Sequence, residues 1–527
     1  MFIQILTRLV ISVALILTGC TRPKTSSGKQ WEPDIGPQTV ESIGTVVPDS
    51  GDSSQILERP NILIVLADDL GTDKLEMYGN SPAPPLPTLD SLAASGVRMG
   101  FAYASPTCMP SRAGLQTGLW GPDTQILGIV GCQVVSADDD YGLSEAMVTI
   151  AEAMVDEGYR TGHIGKWHLN TRWDPEDSSL PGDLHQWPGK NGYEVVLGNS
   201  ALGMSNNQSC DTPEAENSRF SGYKACDGDG TCAIETEWDD TYLVNRALEF
   251  FAECEVGVPC FLHLALTSPH YAYATPPTAL VPNPLELGET NNQFQFHAML
   301  QALDVELGRL LEGIPPNTVV IFLGDNGTAA GLQLPPMRPD WDVKSTIHEG
   351  GVRVPLIVSG SGIAQGVVRL EPVVVQDLFA TILEMVGGDM VGLPAEDTSR
   401  SFWPIIAADG GGEYIPRTTI PSFIGTNGPD WINDPWQYSI RNDQYRLEAV
   451  SDGGVATVAY SLYSVYPWRE EDSNADGWID FGEVDSTADL ILDGVSDEEK
   501  EAVAELFESL PESAKAELPV PVDNSTE

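Results

Sequence analysis

Basic residues are scarce in this chain. Its 527 residues include 27 Lys and Arg against 77 Asp and Glu, so the formal net charge at pH 7 is −50. Because nucleic acids and anionic membrane surfaces repel such a charge, neither is an expected partner. An anionic ligand would need a local cluster of cations. The 42% hydrophobic content is enough for a large buried core, which excludes a disordered chain.

Long apolar runs are missing as well. The run Leu9–Leu17 is shorter than the ~20 residues of a membrane-spanning helix. It follows Arg8 and leads into the sequence LTGC, which ends at Cys20. This pattern resembles a bacterial lipoprotein signal, which implies removal of residues 1–19 and acylation of Cys20. By the same resemblance, an Asp at position 21 would retain the protein at the inner membrane. Thr21 occupies that position, so an outer-membrane anchor is expected. An ordinary secretory signal is the alternative, and both interpretations predict export.

Residues 20–58 are rich in Ser, Thr, Gly and Pro and are predicted to form a flexible tether. The pattern of apolar residues changes after this segment. In residues 59–415, short apolar runs alternate with helical patterns such as Glu145–Val155. This alternation predicts an α/β fold with a mostly parallel central sheet covered on both faces. The predicted strands include Ile62–Leu66, Thr161–Ile164, Phe261–Leu266, Val319–Leu323 and Val354–Val358.

The last part of the chain, residues 416–527, has a different pattern of short strands without intervening helices. It predicts a smaller antiparallel subdomain that is closed by a helix over Asp497–Leu510. The strands expected in it are Gln437–Ile440, Tyr445–Val450 and Ala456–Tyr463.

Charged or amide side chains follow several of the strands in the first segment directly. The carboxyl ends of parallel strands meet at one edge of a sheet, where open α/β folds bind ligands, so we expect these side chains to lie together. The residues concerned are Asp68, Asp69, Lys166, His168, His270, Asp325 and Asn326.

Three carboxylates brought together would force protonation unless a cation lies among them. Asp68, Asp69, Asp325 and Asn326 offer the oxygen ligands that calcium or magnesium prefers. The sequence has no Cys-x-x-Cys and no cluster of His or Cys with zinc spacing. For either pair alone, a turn-forming role is the alternative interpretation.

Cys108 is predicted to lie at a helix N-terminus, because Pro110 suits a first turn and Gly118 can end the helix. The partial positive charge at this end of a helix stabilises an anionic nucleophile or ligand. Arg112 falls on the same helical face. The alternatives are a buried structural cysteine and one half of a disulfide.

The segment from Cys108 to Arg112, CMPSR, matches the Cys-x-Pro-Ser-Arg signature of the sulfatase family. Five further segments resemble motifs of that family and occur in the family's order, so the resemblance covers roughly residues 59–355. These segments are Asn61–Gly71, Gly165–Leu169, Ser268–His270, Gly324–Gly327 and Lys344–Pro355.

The resemblance implies an alkaline-phosphatase-like α/β/α sandwich that hydrolyses sulfate esters. A formylglycine-generating enzyme would oxidise Cys108 to formylglycine, the nucleophile of the reaction. A calcium ion would be bound by the modified Cys108 together with Asp68, Asp69, Asp325 and Asn326. The side chains expected around the sulfate are Arg112, Lys166, His168, His270 and Lys344.

The same resemblance implies the order of events. One hydroxyl of the hydrated aldehyde, activated by the metal and by Asp325, would attack sulfur. His270 or Lys344 would protonate the leaving oxygen. A sulfated small molecule or saccharide is the expected substrate. The alternatives are a phosphodiester or phosphonate ester hydrolase of the same superfamily and a non-catalytic surface lipoprotein that binds sulfated glycans.

Six cysteines remain apart from Cys20 and Cys108, and in an exported protein they predict up to three disulfides. The close pair Cys254 and Cys260 is the favoured one. The six are Cys132, Cys210, Cys226, Cys232, Cys254 and Cys260.

Residues 472–483 fit the twelve-residue EF-hand loop, with Gly477 at the required sharp turn. Strand-like residues precede the loop where an EF-hand has its entering helix, so the sequence resembles a lone EF-hand-type or dockerin-type loop that binds a structural calcium ion. An acidic surface turn is the alternative. The predicted ligands are Asp472, Asn474, Asp476, the Trp478 carbonyl, Asp480 and Glu483.

Overall fold

The computed structural model describes most of the chain, and the described residues belong to one compact unit that begins at Glu58. Several predictions lie outside the described residues and stay predictions: the signal with Cys20, the tether over 20–58, the calcium loop at 472–483, and the state of Cys132 and Cys210. The predicted domain boundaries also stay predictions. The described ranges are 59–79, 83–129, 142–169, 187–200, 223–283, 291–334, 337, 342–427, 433–451, 459–464 and 497–515.

Apolar residues at successive positions, rather than alternate ones, form the central strands Asn61–Ala67 and Thr318–Gly324 of the larger sheet, because both faces of the sheet are buried there. Eleven strands of the described chain belong to it. They are β1 (Asn61–Ala67), β2 (Gly96–Tyr103), β3 (Arg160–Lys166), β4 (Val195–Ser200), β5 (Tyr223–Cys226), β6 (Cys232–Glu235), β7 (Cys260–Ala265), β8 (Thr318–Gly324), β9 (Arg353–Ser359), β10 (Val367–Arg369) and β11 (Val373–Val374).

The order in this sheet is β10-β2-β9-β8-β1-β7-β3-β4-β5-β6, with β11 paired to β2. The five central strands β8, β1, β7, β3 and β4 are all parallel to one another. A mostly parallel sheet is therefore confirmed. The carboxyl ends of β8, β1, β7 and β3 lie side by side at one edge.

Strand β9 departs from the parallel pattern that its apolar sequence suggested. It includes the predicted strand Val354–Val358, but it runs antiparallel to both β2 and β8. The reason lies in the connection from β8, since a parallel strand needs a crossover that returns the chain to the opposite edge. Residues 325 and 344 of that connection both remain at the carboxyl edge of the sheet, so β9 starts there and runs back.

The helices of the described chain cover both faces of the sheet. None of them is both long enough and apolar enough to cross a bilayer. They are α1 (Pro87–Ala94), α2 (Cys108–Thr117), α3 (Gly121–Thr124), α4 (Ile150–Asp156), α5 (Trp187–Lys190), α6 (Asp239–Ala252), α7 (Asn292–Gly313), α8 (Glu349–Val352), α9 (Asp377–Val386), α10 (Trp403–Ile406), α11 (Asp497–Glu508) and α12 (Glu512–Lys515), with 3-10 turns at Thr72–Lys74, Glu76–Tyr78 and Thr278–Leu280.

Two of these helices test predicted boundaries. Helix α2 begins at Cys108 and is followed by Gly118 in the left-handed region at φ 70°, as predicted. Helix α4 is shorter than the predicted helix Glu145–Val155, because Thr149 caps it. The Thr149 side chain accepts from the backbone N–H of Glu152, and the Glu152 carboxylate accepts from the backbone N–H of Thr149.

The core has one layer on each side of the large sheet. In β1, Ile62, Ile64 and Leu66 face the layer that contains α2, α4 and α9, whereas Leu63 and Val65 face the layer that contains α1, α6 and α7. All five side chains are at most 1% exposed. This arrangement is an α/β/α sandwich, as the sequence predicted.

The smaller sheet is antiparallel and contains four strands in the order β12-β13-β14-β15. Its apolar face packs against α11 through Leu447, Leu506 and Phe507. The three predicted strands and the closing helix are confirmed, and the first strand was not predicted. The strands are β12 (Ile420–Ile424), β13 (Trp436–Arg441), β14 (Tyr445–Ser451) and β15 (Ala459–Ser464).

Two disulfides lie within the described residues. The predicted Cys254–Cys260 pair is confirmed and ties the end of α6 to the start of β7. The second, Cys226–Cys232, joins the adjacent strands β5 and β6. Cys108 is a free thiol.

Candidate active site

The polar residues that the sequence placed at strand ends do meet at the carboxyl edge of the large sheet. Asp68 and Asp69 follow β1, Asp325 and Asn326 follow β8, and all four are at most 2% exposed. Backbone hydrogen bonds hold the strand ends together: the Asp68 N–H donates to the Ser268 carbonyl (3.1 Å), and the Asp325 N–H donates to the Ala67 carbonyl (3.0 Å). Pairing of β8, β1 and β7 thus fixes the positions of these carboxylates.

Asp68 is surrounded by cations. Its Oδ2 accepts a hydrogen bond from Lys166 Nζ at 2.6 Å, and its Oδ1 lies 3.9 Å from Arg112 Nη2. Burial by itself raises the pKa of Asp68, but the charges of Lys166, His270 and Arg112 outweigh this effect and hold the pKa well below its usual value. Asp68 is therefore a carboxylate at neutral pH.

Asp69 receives its contacts from three other segments. Its Oδ1 accepts from Lys344 Nζ (2.5 Å) and from Asn326 Nδ2 (2.8 Å), and its Oδ2 lies 3.7 Å from His270 Nε2. Burial raises the pKa of Asp69, and the positive charge of Lys344 more than reverses this, so the pKa is lowered. The burial of Lys344 lowers its own pKa, but the Asp69 charge raises it above the usual value and keeps the ammonium charged.

Asp325 and Arg112 form a buried ion pair. Arg112 Nε and Nη2 both donate to Asp325 Oδ2, at 3.0 and 2.8 Å, and Asp325 Oδ1 accepts from the backbone N–H of Asp69 at 3.0 Å. Arg112 Nη1 also donates to the Lys166 carbonyl at 2.7 Å. Burial and the nearby Asp68 charge raise the pKa of Asp325 to about 6 against the opposing charge of Arg112.

Cys108 lies at the N-terminus of α2 and is 1% exposed. Its Sγ is 3.8 Å from Lys344 Nζ. Burial raises the pKa of the Cys108 thiol despite the charges of Lys166 and Lys344. Burial therefore opposes the stabilisation of an anion that the helix N-terminus by itself would provide.

The two histidines differ in their surroundings. His168 is 8% exposed, and its Nδ1 makes no hydrogen bond to the part of the chain that the structure describes. Burial and the charges of Lys166 and Arg112 hold the pKa of His168 well below its usual value. The side chain of His270 is 23% exposed, and burial lowers its pKa as well.

Unusual backbone conformations concentrate in this region. Asp69, His168 and Ser345 have positive φ angles of 65°, 57° and 69°, a region that side chains other than glycine rarely occupy. Each of them is a predicted site residue or directly follows one. Backbone strain of this kind persists only where the surrounding contacts impose it, and it clusters at functional sites.

The site has the properties of a divalent-cation site. Ligand atoms of Asp68, Cys108 and Asp325 all lie within 4.8 Å of one another, and so do those of Asp68, Asp69 and His270. Asp68 Oδ1 and Asn326 Oδ1 are buried, and neither accepts a hydrogen bond from the described residues. Buried carboxylate and amide oxygens without donors fit a hard cation such as calcium or magnesium.

One connection around the site was not recognised from the sequence. The loop after Lys344 is attached to the small sheet, since Ser439 Oγ donates to the Ile347 carbonyl (3.2 Å) and Arg441 Nη1 contacts Glu349 Oε1. His348 Nδ1 also lies 3.4 Å from Glu448 Oε1 on β14. The sequence predicted β13 and β14 as strands, but no local signal showed which loop their polar residues would meet.

This chemistry defines the class of protein. Two lysines, an arginine and two histidines surround buried carboxylates and a helix N-terminus, which together suit an enzyme that cleaves an anionic ester. The family model described as Sulfatase matches residues 60–388, which is more than half of the chain. The chain belongs to the sulfatase family and is an arylsulfatase-like sulfuric ester hydrolase.

Individual proteins are similar to this chain in sequence or in fold. The chain is 28% identical over 434 residues to arylsulfatase A of Homo sapiens, and the match covers 76% of each protein. In structure it is similar to Ps i-CgsB in complex with k-i-k-neocarrahexaose, with a TM-score of 0.56 at 24% identity, covering 77% of this chain and 86% of the other. It is also similar to BT4656 in complex with its substrate D-glucosamine-2-N,6-O-disulfate, with a TM-score of 0.56 at 16% identity and coverages of 77% and 91%.

Proposed function

We propose that this sulfatase uses a formylglycine formed from Cys108 and a calcium ion bound by Asp68, Asp69, Asp325 and Asn326. The observation that carries the proposal is the convergence of Cys108 Sγ with carboxylate oxygens of Asp68 and Asp325 within 4.8 Å. These residues come from three separate segments of the chain. In a structural role, a cysteine would have no need of buried carboxylates beside it.

The raised pKa of the Cys108 thiol argues against direct catalysis by the unmodified side chain. A neutral buried thiol is a poor nucleophile, whereas the hydrate of formylglycine offers one hydroxyl for attack on sulfur and a second for release of the product. Lys344 Nζ, 3.8 Å from Sγ, supplies a fixed positive charge beside this position. Formation of the aldehyde would require a formylglycine-generating enzyme in the host.

The basic side chains of the site have two different roles. Lys166 and Arg112 are buried and bonded to carboxylates, so they balance charge and hold the site in place. His168, His270 and Lys344 are more exposed, at 8%, 23% and 11%, so their polar atoms can meet the sulfate oxygens. His270 and Lys344 both contact Asp69 and are the candidates for protonation of the leaving oxygen.

The proposed substrate is a sulfated saccharide or another sulfated small molecule. One structural relative was solved in complex with k-i-k-neocarrahexaose and another in complex with its substrate D-glucosamine-2-N,6-O-disulfate. The net charge of −50 disfavours long-range attraction of a polyanion, so a short or lightly sulfated substrate suits this chain better.

We further propose that the protein is exported and anchored in the outer membrane through a lipid on Cys20, with a structural calcium ion in the loop 472–483. The sequence patterns described above support both. Replacement of Cys20 by Ala should move the protein from the membrane fraction to the soluble periplasmic fraction of the host. Retention of the variant in the membrane would contradict the anchor.

The function is tested by a desulfation screen over sulfated sugars and aryl sulfates with protein from the native host. Mass spectrometry of the peptide that contains Cys108 should show the aldehyde, and Cys108→Ala should abolish turnover while the circular dichroism spectrum stays unchanged. An aryl phosphonate ester serves as the competing substrate. A thiol at position 108 in active protein, or faster cleavage of the phosphonate, would overturn the proposal.

A further inference from the structure

We propose that Thr107 binds the sulfate group of the substrate by donating a hydrogen bond from its hydroxyl to a sulfate oxygen. This inference rests on the proposed function and adds a neutral donor to the charged groups described above. Thr107 directly precedes Cys108, is the N-cap residue of α2 and is 2% exposed.

The hydroxyl of Thr107 is not used by the helix that it precedes. An N-cap threonine ordinarily accepts a hydrogen bond from the backbone N–H of the second or third helical residue. The third residue of α2 is Pro110, which has no N–H, and the Thr107 side chain makes no capping bond. Its Oγ1 is buried and has no hydrogen-bond partner within the described parts of the chain.

The backbone on both sides of Thr107 is fixed. The Ser111 hydroxyl donates to the Thr107 carbonyl (3.0 Å) and accepts from the backbone N–H of Ser105 (2.9 Å). The Pro106 carbonyl accepts from the backbone N–H of Ser345 (2.8 Å). These bonds hold Thr107 in one position, so the hydroxyl is preorganised for a ligand.

The neighbours of Thr107 belong to the sulfate site. Pro106 is bonded to the residue after Lys344, and Cys108 Sγ lies 3.8 Å from Lys344 Nζ. An N-cap side chain projects at the N-terminal end of its helix, which is the end where Cys108 lies. Thr107 is therefore a buried, unpartnered donor between two residues that are both held against the Lys344 loop.

A sulfate group suits this donor because its oxygens accept hydrogen bonds and cannot donate them. A buried hydroxyl without a hydrogen-bond partner is energetically unfavourable. An anion that accepts from this hydroxyl therefore gains a hydrogen bond without displacing a water molecule from it. The Thr107 hydroxyl is also a neutral donor, so it can bind a sulfate oxygen without placing another positive charge beside Lys344.

The test compares Thr107→Val, which is nearly isosteric but lacks the hydroxyl, with Thr107→Ser, which retains it. Thr117→Val is the matched control, because the Thr117 hydroxyl lies at the other end of α2 and donates to the Ala113 carbonyl. Affinity for inorganic sulfate is measured by calorimetry on the calcium-saturated thiol form, which does not depend on oxidation of Cys108. The KM and kcat of the aldehyde form are measured in parallel and divided by the aldehyde fraction from mass spectrometry.

We expect Thr107→Val to weaken sulfate binding roughly ten- to a hundredfold, as for loss of a hydrogen bond to a charged group. Thr107→Ser should restore affinity to within about twofold of the wild type, and Thr117→Val should leave it unchanged. If Thr107→Val fails to fold, the comparison of Thr107→Ala with Thr107→Ser gives the same contrast.

Three outcomes would overturn the inference. Sulfate affinity that is equal in the wild type and Thr107→Val removes the role of Thr107 and leaves the proposed function intact. A loss of calcium affinity in Thr107→Val without an effect on sulfate at saturating calcium assigns the hydroxyl to the metal instead. A wild type that neither binds sulfate nor releases it from any ester overturns the proposed function together with this inference.

Discussion

Lys166 Nζ and Asp68 Oδ2 lie 2.6 Å apart, and both side chains are at most 1% exposed. The two residues come from strands that are not adjacent, since Lys166 ends β3 and Asp68 follows β1, with β7 between them. Two charges buried this deeply depend on each other, because either one alone would lack compensation.

Replacement of Lys166 by Met should leave Asp68 charged and buried. We expect a loss of about 3–5 kcal/mol in the free energy of unfolding, together with loss of activity. Urea denaturation of the metal-free protein measures the first effect. Lys190→Met, which removes an exposed ion pair with Glu145, is the control and should cost less than about 1 kcal/mol. Equal effects of the two substitutions would contradict this account of the pair.

Removal of the divalent cation should abolish activity reversibly. Chelation removes the cation from between three carboxylates and the Asn326 oxygen. Added calcium should restore both activity and thermal stability. At a free calcium concentration a hundredfold above Kd, the stabilisation should be about 2.7 kcal/mol.

Asn326→Ala tests the same site by mutation, because Asn326 Oδ1 accepts no hydrogen bond from described residues. The calcium-dependent increase in melting temperature should shrink in Asn326→Ala and persist in the control Asn433→Ala, whose side chain is exposed. A full calcium response in Asn326→Ala would remove this residue from the ligand set.

Stability should fall as the pH drops below neutrality, in part because of His263. Burial and the Arg112 charge lower the pKa of His263 from 6.5 to about 3. Between these values the unfolded chain binds a proton that the folded chain does not, so stability rises with pH across this window. The contribution is up to about 1.4 kcal/mol per pH unit.

The comparison of the wild type with His263→Phe isolates this contribution. The slope of the unfolding free energy against pH should be shallower in the variant between about pH 4 and 6. In this range the protonation of His263 differs most between the folded and the unfolded chain. Urea denaturation at several pH values gives both slopes. Equal slopes in the wild type and His263→Phe would show that His263 does not contribute to the pH dependence of stability.

The small sheet should stabilise the Lys344 loop through Arg441. Arg441 Nη1 contacts Glu349 and lies 3.0 Å from the Tyr103 hydroxyl, and its charge helps to lower the pKa of Glu349 against the effect of burial. Arg441→Met should reduce the free energy of unfolding by about 3–5 kcal/mol, because Glu349 loses a buried partner. It should also reduce kcat, since α8 follows directly from the loop.

The control for Arg441 is Arg160→Met, which removes a pair with Glu253, a side chain that is 69% exposed. That pair should contribute only about 0.2–1 kcal/mol and should leave kcat unchanged. A normal kcat in Arg441→Met would show that the loop keeps its position without the small sheet.

Much of the fold followed from local sequence patterns. The apolar run before Asp68 and the run before Asp325 indicated buried strands, and both strands formed with the polar residues at their carboxyl ends. The capping of α4 by Thr149 shows the limit of such patterns, because a capping box moved the start of the helix by several residues. The direction of β9 could not be predicted either, since it depends on the connection from β8.

The candidate site divides in the same way. Its residue types and motifs were visible in the sequence, but the partner of each carboxylate was not. Lys166 bonds Asp68, Lys344 bonds Asp69 and Arg112 bonds Asp325, and these pairings come from residues far apart in the chain. Thr107 was not singled out, because only the folded structure shows a buried hydroxyl without a partner.

The helices, the strands and the chemical groups at their ends could be predicted from the sequence, because apolar periodicity, caps and short motifs are local properties. Which charges face each other, and how their pKa values shift, depends on the complete fold, because strand order sets the distances between these groups and burial sets their solvation. The raised pKa of Cys108 is the clearest case. A helix N-terminus alone favours a thiolate, and burial in the fold reverses that preference.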